Sequence, residues 1–556
     1  MNMGTRQKAL DASLAAPLRA PLFRRLWVSS MMGNLGLMIQ AVGSAWAMTK
    51  LTDNPEMVAL VQTALMMPVM IFAVPAGALA DMFDRRKVGI FAVMVSVTGV
   101  ICLFSTAAAG LLDARLLLFF CFTIGTGSAL FGPAWQASAA EVVSRQDLPH
   151  AIALNSMSYN AARAIGPAIG GFVVASWGAA ATFGINAVLY LPLLLVLFTW
   201  RRTAMASRLP AEGFGRAITS GGRYFLNSPV VRNVIVRAFI TGMAAASITA
   251  LLPLIARDII GGGPQTFGAC LGAYGLGAIL SAFFLPRIRS RFSEVQIVIS
   301  CLCLMSASIL VVAFSGHLAL ALMPLLIFGG AWLTIATIFN VGIQTSAPRW
   351  VAARAVAAYQ ASIAGGVALG SWLWGTIADE TSLVTALLSS AAAVLLTILV
   401  SRRPLAETIE SHSYAAIELP PLETAMALTD RSGPILVEIE YRIDPEQARR
   451  FYRHMEKVRA SRARLGAYSW MIARDIADPW LWTERFHWPT WLDYLRHRTR
   501  HTSAERELQD EAKNFHIGSA PIRIRRWLER PYGSVRWQEG ALDPRLEGSP
   551  AGSPNI

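Results

Sequence analysis

A cluster of charged residues follows Gly77 between two long apolar stretches, and it contains Asp81, Arg85, Arg86 and Lys87. A carboxylate and a guanidinium four residues apart at a helix end can hold neighbouring helices together by bidentate pairing. The carboxylate can also cap the positive end of an adjacent helix. This spacing predicts a lock between neighbouring helices, and the alternative is that the charges only anchor the loop and orient the helices.

Arg163 is a second candidate, because it falls near the middle of an apolar stretch, where an arginine costs about 2.5–3.5 kcal/mol. Ser156, Asn160, Arg163 and Pro167 recur at helical spacing and predict a polar face toward a cavity or a neighbouring helix. No Asp or Glu lies in the middle of any stretch as a partner. An unpaired guanidinium in a wet cavity attracts anionic groups, and structural pairing is the alternative.

Other polar residues within apolar stretches are candidates for the same cavity, although each alone is more often a hydrogen bond between helices. They are Asn34, Gln40, Gln136, Asn155, Asn160, Asn340, Gln344 and Gln360. Close packing is expected at Gly166, Pro167, Gly170 and Gly171, because small residues let helices approach and proline bends them. Five cysteines fall in apolar segments without zinc-site spacing, so we expect buried side chains and no metal.

These residues require membrane helices to position them. The 556 residues are 54% hydrophobic and only 15% charged, whereas a soluble protein carries about a quarter charged residues. An ordinary cytosolic enzyme is therefore excluded. Stretches of about 20 apolar residues predict twelve spans. They lie near 25–50, 56–80, 88–110, 114–140, 151–175, 179–200, 231–256, 265–286, 293–314, 317–343, 352–377 and 381–401.

Basic residues concentrate in alternate loops, which predicts the orientation in a bacterial inner membrane. The loops predicted inside hold Arg85, Arg86, Lys87, Arg145, Arg201, Arg202, Arg208, Arg216, Arg223, Arg232, Arg287, Arg289, Arg291, Arg349, Arg354, Arg402 and Arg403. Those predicted outside hold only Lys50, Arg115 and Arg257. Both termini are therefore expected in the cytoplasm. We expect no cleaved signal peptide, because no short apolar core precedes the first span.

The spans form two sets that resemble copies of each other. The segment that begins at Gly77 weakly resembles the one that begins at Gly277. Gly166 and Gly170 match Gly366 and Gly370, and all these pairs have an offset of 200 residues. This offset predicts duplicated six-helix halves. The expected domains are 1–200 and 231–402 for the halves, 201–230 for a cytoplasmic linker, 403–432 for a second linker, 433–532 for a soluble domain and 533–556 for a disordered tail.

The soluble domain shows a different periodicity. Residues 435–443 alternate as a strand does, and Asp444 is a good cap for the helix that follows. Two further strands are predicted at 467–476 and 480–488, a helix at 489–512 and a last strand at 522–530. This βαββαβ order predicts an α+β ferredoxin-like domain beside the all-α membrane part.

The charged cluster resembles the cytoplasmic loop signature of the major facilitator superfamily: glycine, three residues, aspartate, three residues, arginine and another basic residue. Asp84 stands where that signature has a glycine. The resemblance implies that Asp81 faces the start of the eleventh helix near Arg354, and that Arg85 pairs with Glu141. Such a cluster would hold the cytoplasmic side shut.

The fifth span resembles the glycine-proline signature of antiporters and exporters in this superfamily. Residues 131–143 and 153–171 look more specifically like the enterobactin-exporter and secretion-effector branch. This resemblance implies secondary transport of a small molecule outward through the lipid bilayer. Proton antiport, protonation of the substrate and uniport stay open.

The tail resembles the dimeric domains of antibiotic-biosynthesis monooxygenases. The resemblance implies a homodimer, or a pocket lined by His487, Trp488, Trp491, His497 and His501 that oxidises a quinol-like substrate without a cofactor. The alternative is that the aromatic residues form a core or a dimer interface. We expect no cofactor for transport, and the basic residues are explained by topology without a nucleic-acid partner.

Overall fold

The structure is a computed structural model that describes residues 16–144, 147–200, 214–402, 422, 424, 428–499, 503–518 and 521–529. The expectations for the N-terminal residues 1–15, Arg145, the linker residues 201–213 and 403–421, His501 and the tail 533–556 lie outside the described residues. The chain divides into two compact units. One contains the membrane helices, and the other contains the C-terminal domain together with residues 219–232 and 347–352.

Six long helices make up the first half of the membrane unit, after a short 3-10 turn at Ala16–Arg19. They are α1 Pro21–Leu51, α2 Pro55–Met82, α3 Arg85–Ala108, α4 Ala114–Val142, α5 Leu148–Trp177 and α6 Ala179–Thr199. A shorter helix, α7 Phe214–Asn227, follows in the predicted linker. Six more make up the second half: α8 Pro229–Leu254, α9 Pro264–Arg289, α10 Glu294–Ala313, α11 Leu318–Ser346, α12 Arg349–Glu380 and α13 Leu383–Ser401.

Side-chain caps set several helix starts in the connections. The side chains of Asn54, Asp113 and Ser382 accept hydrogen bonds from the first free backbone N–H groups of α2, α4 and α13. Ser293 and Gln296 form a reciprocal capping box at α10. Each of these residues ends a connection, so the sequence itself marks where these four helices begin.

Ten of the described helices are long and apolar enough to cross a membrane. Those ten agree with the predicted spans. The other two predicted spans are occupied by α1 and α5, of 31 and 30 residues, whose polar residues lower their apolarity. The count of twelve crossings therefore stays a prediction, although every predicted span corresponds to a long helix.

The repeated glycines take equivalent places in the two halves. A Cβ on Gly166 would lie 2.5 Å from Met38 Cβ, and one on Gly170 would lie 3.0 Å from Val42 Cβ, both on α1. Gly366 and Gly370 meet the backbone of Phe239 and Met243 on α8 in the same manner. The fifth helix of each half thus packs closely on the first helix of that half.

The C-terminal domain contains a four-stranded antiparallel sheet. Its strands are β1 Ile435–Arg442, β2 Tyr468–Arg474, β3 Leu481–Trp488 and β4 Arg523–Leu528, in the spatial order β2-β3-β1-β4. The helices are α14 Ala448–Leu465, α15 Trp491–Thr499 and α16 Ser503–Asn514. The helix predicted at 489–512 corresponds to α15 and α16, and residues 500–502 between them lie outside the described residues.

Candidate functional site

The charged cluster begins with a helix cap. Asp84 precedes α3, and its carboxylate accepts hydrogen bonds from the backbone N–H groups of Arg86 at 2.9 Å and Lys87 at 3.4 Å. Its φ of −61° is ordinary for an L-residue. The turn therefore does not need the conformational freedom of the glycine found in the resembling signature.

The two arginines of the cluster donate to the carboxyl-terminal ends of helices. Arg86 donates from Nε to Leu197 O at 2.9 Å and from Nη2 to Phe198 O at 2.7 Å, at the end of α6. Arg85 donates from Nε to Ala80 O at 3.4 Å, near the end of α2. The guanidinium groups satisfy carbonyls that have no helical partner and face the negative end of the helix dipole.

The remaining pairings of the gate stay predictions. Gly77 and Asp81 lie in the last two turns of α2, Glu141 lies in the last turn of α4, and Arg354 lies near the start of α12. The side chains of Asp81 and Glu141 lie outside the described part of the structure. A Cβ added at Gly77 would meet no atom within 4 Å, so packing against another helix does not explain the glycine at this position.

Arg163 is bonded across the two halves. Its Nη2 donates to Tyr274 Oη at 2.8 Å, and its guanidinium carbon lies 5.3 Å from the Tyr274 ring centroid. Arg163 is on α5 in the first half and Tyr274 on α9 in the second. No carboxylate oxygen of a described side chain lies within the 4.0 Å ion-pair distance of Arg163. Arg163 is partly exposed, whereas Tyr274 is buried.

The α5 and α9 helices are in contact through small residues. A Cβ on Gly171 would lie 2.7 Å from Gly268 Cα, and one on Gly275 would lie 2.7 Å from Ala164 Cα. Pro167 on α5 is buried, and its carbonyl oxygen would lie 3.1 Å from a Cβ added at Gly268 on α9. Within the predicted motif, Gly166 and Gly170 therefore face α1, while Pro167 and Gly171 face the other half.

The other predicted cavity residues fall into two groups. Gln40 is fully buried, donates to Ser44 Oγ at 2.8 Å and accepts from Asn186 Nδ2 at 3.4 Å, so its amide stabilises the contact of α1 with α6. Asn34, Asn155, Asn160 and Asn340 are partly exposed, and Gln136, Gln344 and Gln360 are exposed. Gln344 donates to Asn340 Oδ1 at 3.0 Å, one turn away on α11.

The two halves also meet at the end of the bundle that carries Asn54, here called the Asn54 end. Asn54 Nδ2 donates to Asp379 Oδ2 at 3.1 Å, and Trp372 Nε1 donates to Glu56 Oε1 at 3.0 Å. In both pairs one residue belongs to the first half and the other to the second. These bonds hold the halves together at the opposite end from Arg85.

Three more hydrogen bonds extend this contact. Arg257, between α8 and α9, donates to Thr49 O at 2.9 Å and to Asp53 Oδ1 at 3.4 Å. Deeper in the bundle, Thr63 Oγ1 donates to Ala368 O at 2.8 Å and joins α2 to α12. Polar bonds between the halves therefore extend from the Asn54 end into the apolar interior.

The C-terminal domain separates two of the residues that were predicted to line a catalytic pocket. Successive residues of a strand point to opposite faces, so His487 and Trp488 on β3 cannot line one pocket. Trp488 stacks on His497 with centroids 4.5 Å apart, beneath α15. His487 Nε2 lies 3.1 Å from Glu529 Oε2, on the other face. His487 and Trp488 therefore lie on different faces of the sheet, and Trp488 belongs to the domain core with Trp491 packed against it.

A buried polar cluster in this domain has no counterpart in the sequence prediction. Glu484 is fully buried and accepts hydrogen bonds from Tyr441 Oη at 3.1 Å, Trp470 Nε1 at 2.9 Å and Arg462 Nε at 3.3 Å. Burial, together with the neighbouring carboxylate, raises the pKa of Tyr441 well above its usual value. Only the alternation of β3, which places Glu484 on the core face with Phe486, could have indicated this carboxylate.

Comparison with known proteins supplies the family context. The family model for transmembrane secretion effectors matches residues 12–532. The multidrug efflux pump Tap of Mycolicibacterium fortuitum is 24% identical over 68% of this chain and 94% of that pump. The staphyloferrin A transporter of Staphylococcus aureus is 23% identical over 47% of this chain and 66% of its own length. The enterobactin exporter of Salmonella typhi is 26% identical over 47% of this chain and 63% of its own length.

Solved transporter structures show the same fold. A nucleoside transporter covers 68% of this chain and 98% of its own chain at a TM-score of 0.57, with 11% identity. A POT family transporter covers 68% and 94% at a TM-score of 0.56, with 14% identity. At such low identity the likeness concerns the fold alone.

Proposed function

Because the chain belongs to the transmembrane secretion effector family of the major facilitator superfamily, we propose that it exports a small molecule across the bacterial inner membrane by alternating access. In such a mechanism two halves rock about a central site, so that the pathway opens to one side at a time. The membrane part is that of a transporter, and the direction of transport and its substrate belong to this proposal.

The observation that carries this proposal is the pattern of contacts between the halves. Bonds between Asn54 and Asp379 and between Glu56 and Trp372 hold the Asn54 end together. The small-residue contact of α5 with α9 continues to Gly275. Toward the Arg85 end, Met157 on α5 and Phe283 on α9 are 60% and 70% exposed. The contact thus fades toward one end, which fits a pathway closed at the Asn54 end.

Orientation follows from charge. The Arg85 end carries Arg85, Arg86, Lys87, Arg287 and Arg289, which favours the cytoplasmic side. The Asn54 end then faces the periplasm, and both termini lie in the cytoplasm. In this orientation the described conformation is one that receives substrate from inside the cell, as an exporter must.

We assign the cytoplasmic gate to Asp81, Arg85 and Glu141, supported by Gly77 and Arg86. When the Arg85 end closes, the carboxylates would exchange solvent for pairing with guanidinium groups on neighbouring helices. The described bonds of Arg85 and Arg86 to helix ends keep those groups in place while the gate is open. Breaking and remaking the pairs would accompany each transport cycle.

The substrate class follows from the relatives, one of them a multidrug efflux pump and another an enterobactin exporter. We infer a siderophore-like or drug-like molecule. No carboxylate lies in the middle of a predicted span, so proton antiport would use Asp81 or Glu141, or the substrate itself would carry the proton. Uniport is the third alternative, and collapse of the proton gradient with an ionophore separates it from the first two.

The test is flux through the full-length protein in proteoliposomes, with ethidium as a drug-like probe and 2,3-dihydroxybenzoate as a siderophore-like probe. At least one probe should move faster than through protein-free vesicles. Asp81→Asn and Arg85→Ala should each lower that flux at least about fivefold, the effect of losing about 1 kcal/mol. The exposed Arg291→Ala should leave it unchanged. If neither probe moves faster than through protein-free vesicles, the exporter assignment is contradicted. If both gate variants keep full flux, the charges serve only as topological anchors.

The C-terminal domain is inferred to regulate or dimerise the transporter. This inference is supported by its aromatic side chains, which pack in the core between the sheet and the helices. Oxygen consumption by the full-length protein in the presence of a hydroquinone tests whether the domain is catalytic. We expect no consumption above the uncatalysed rate. Light scattering of the purified protein, with and without residues 433–532, tests the dimer.

A further inference from the structure

We propose that Arg163 and Tyr274 form an anion subsite in the transport pathway that takes the carboxylate or phenolate of an aromatic substrate. In this subsite the anionic group replaces the Tyr274 hydroxyl on the Arg163 guanidinium. The inference rests on the proposed transport function and adds the chemical class of the substrate. It also assigns a role to Tyr274, which the sequence did not single out.

The hydrogen bonds of Arg163 leave capacity for a ligand. A guanidinium has five N–H donors, and the described structure pairs one of its nitrogens, Nη2, with Tyr274 Oη. No described carboxylate lies within ion-pair distance. A charge in this position is costly unless it faces water or a counter-ion. Arg163 is partly exposed, so part of its side chain is accessible to a ligand.

A substrate anion would bind Arg163 more strongly than the tyrosine does. Hydrogen bonds between a guanidinium and a carboxylate are about twice as strong as neutral ones and can be bidentate. The Tyr274 hydroxyl is a neutral acceptor that occupies one position. An arriving carboxylate or phenolate can therefore displace it, and the phenol then needs another partner or water.

Aromatic surfaces lie beside the guanidinium. The Tyr274 ring packs on Phe328 with centroids 6.0 Å apart. Tyr159 lies one helical turn before Arg163 on α5, on the same face, and is 45% exposed. Tyr274 and Phe328 are buried, so an aromatic ring attached to the anion would pack against the exposed Tyr159 ring in offset or edge-on geometry. The combination favours aromatic acids over small inorganic anions.

Binding at this subsite is coupled to the contact between the halves. Arg163 belongs to α5 and Tyr274 to α9, and their bond lies beside the Gly275–Ala164 approach. Replacement of the hydroxyl by substrate removes one bond that joins the halves. The anion would thereby lower the stability of the described conformation relative to the opposite one, which is the differential binding that a ligand-driven change requires.

The test compares 2-naphthoate with its neutral isostere 2-naphthamide, bound to the full-length protein in nanodiscs and measured by naphthalene fluorescence. Wild type should bind the acid about tenfold more tightly, the size of one charge-assisted hydrogen bond. Arg163→Gln should reduce this ratio to about one. Arg291→Gln, which removes an exposed arginine, should leave it unchanged.

A second variant tests the replacement step. Tyr274→Phe removes only the competing hydroxyl, so 2-naphthoate should bind at least as tightly as to wild type, and about threefold more tightly if the hydrogen bond contributes its usual amount. If the affinity ratio of 2-naphthoate to 2-naphthamide in Tyr274→Phe falls to the value found in Arg163→Gln, the anion does not simply replace the Tyr274 hydroxyl, and this step is overturned. An unchanged ratio in Arg163→Gln overturns the subsite.

Transport measured on the same preparations separates this inference from the proposed function. Selective binding of 2-naphthoate without any flux of 2-naphthoate, ethidium or 2,3-dihydroxybenzoate keeps the subsite and contradicts the exporter. Flux of ethidium without preference for the acid keeps the exporter and contradicts the subsite. Selective binding together with 2-naphthoate flux that is lost in Arg163→Gln supports both.

Discussion

Asp84 shows how one residue can replace another at a motif position by different physics. The resembling signature has a glycine there, which permits unusual backbone angles. This chain instead has an ordinary backbone conformation and a carboxylate that caps α3. A capping carboxylate also interacts favourably with the positive end of the helix dipole. The loop therefore keeps its geometry through a side chain rather than through backbone freedom.

This cap gives a local prediction. Asp84→Ala should cost about 1 kcal/mol of local stability, and hydrogen exchange of the Arg86 and Lys87 amides should rise about fivefold as a result. Asp84→Asn keeps an accepting oxygen and should exchange nearly as slowly as wild type. Mass spectrometry of pulse-labelled full-length protein measures both. Equal exchange in wild type and Asp84→Ala would show that the cap contributes nothing.

Glu484 supports a second prediction at this scale. Glu484→Ala leaves Arg462, Tyr441 and Trp470 without their buried acceptor, and removal of one partner of a buried ion pair costs about 3–5 kcal/mol. The C-terminal domain of the full-length protein should then be cut by trypsin within residues 435–528 at rates where wild type resists. Glu484→Gln keeps an acceptor oxygen and should fall between the two. Indistinguishable digestion patterns would contradict the role of the carboxylate.

Sequence reasoning at the residue scale found Arg163 but not Tyr274. A charge in an apolar stretch stands out by its cost, whereas a tyrosine in such a stretch is ordinary. The bond between them joins residues 111 apart and depends on how two helices cross. Likewise Gln40 looked like a cavity residue, and only its bonds to Ser44 and Asn186 reveal a helix contact.

At the scale of elements, α5 uses two separate small-residue faces. Gly166 and Gly170 approach α1 within the same half, and Gly171 approaches Gly268 of α9 in the other half. A motif that reads as one unit in the sequence therefore serves two contacts. The first contact has an equivalent in the second half at Gly366 and Gly370, which makes it structural in both copies.

The α9 helix offers a matched pair for testing the second contact. A Cβ on Gly268 would lie 2.8 Å from Gly171 Cα, whereas one on Gly272 would lie 3.7 Å from Ala168 Cβ, an ordinary contact. Gly268→Ala should destabilise the described state by about 1–3 kcal/mol, and Gly272→Ala should change it little. The thermal midpoint of purified protein in one detergent compares them. Equal midpoints would mean that the helices separate without cost.

Periodicity predicted long helices better than it predicted short ones. Every predicted span corresponds to a long helix, because about 20 apolar residues are a strong signal. The amphipathic α7, with 14 residues including Arg216 and Arg223, was predicted as a linker since its composition is polar.

At the scale of the whole molecule, orientation is the prediction on which the others depend. Reporter fusions should be active in the cytoplasm when placed after Arg403, and active in the periplasm near Asp258 or Asp379, because the basic loops belong inside. Alkaline phosphatase and a fluorescent protein report opposite sides and serve as mutual controls. The reverse pattern would exchange the two ends of the pathway and turn the gate outward.

The approach of Gly171 to Gly268 has a thermodynamic consequence for the molecule. Surface that carries no side chains exposes little apolar area when the two helices part, and the heat capacity change of a transition grows with the apolar area exposed. Separation at this contact should therefore contribute little to the heat capacity difference between the two conformations. Curvature with temperature in the balance between the two conformations would then arise from contacts that bury more apolar area.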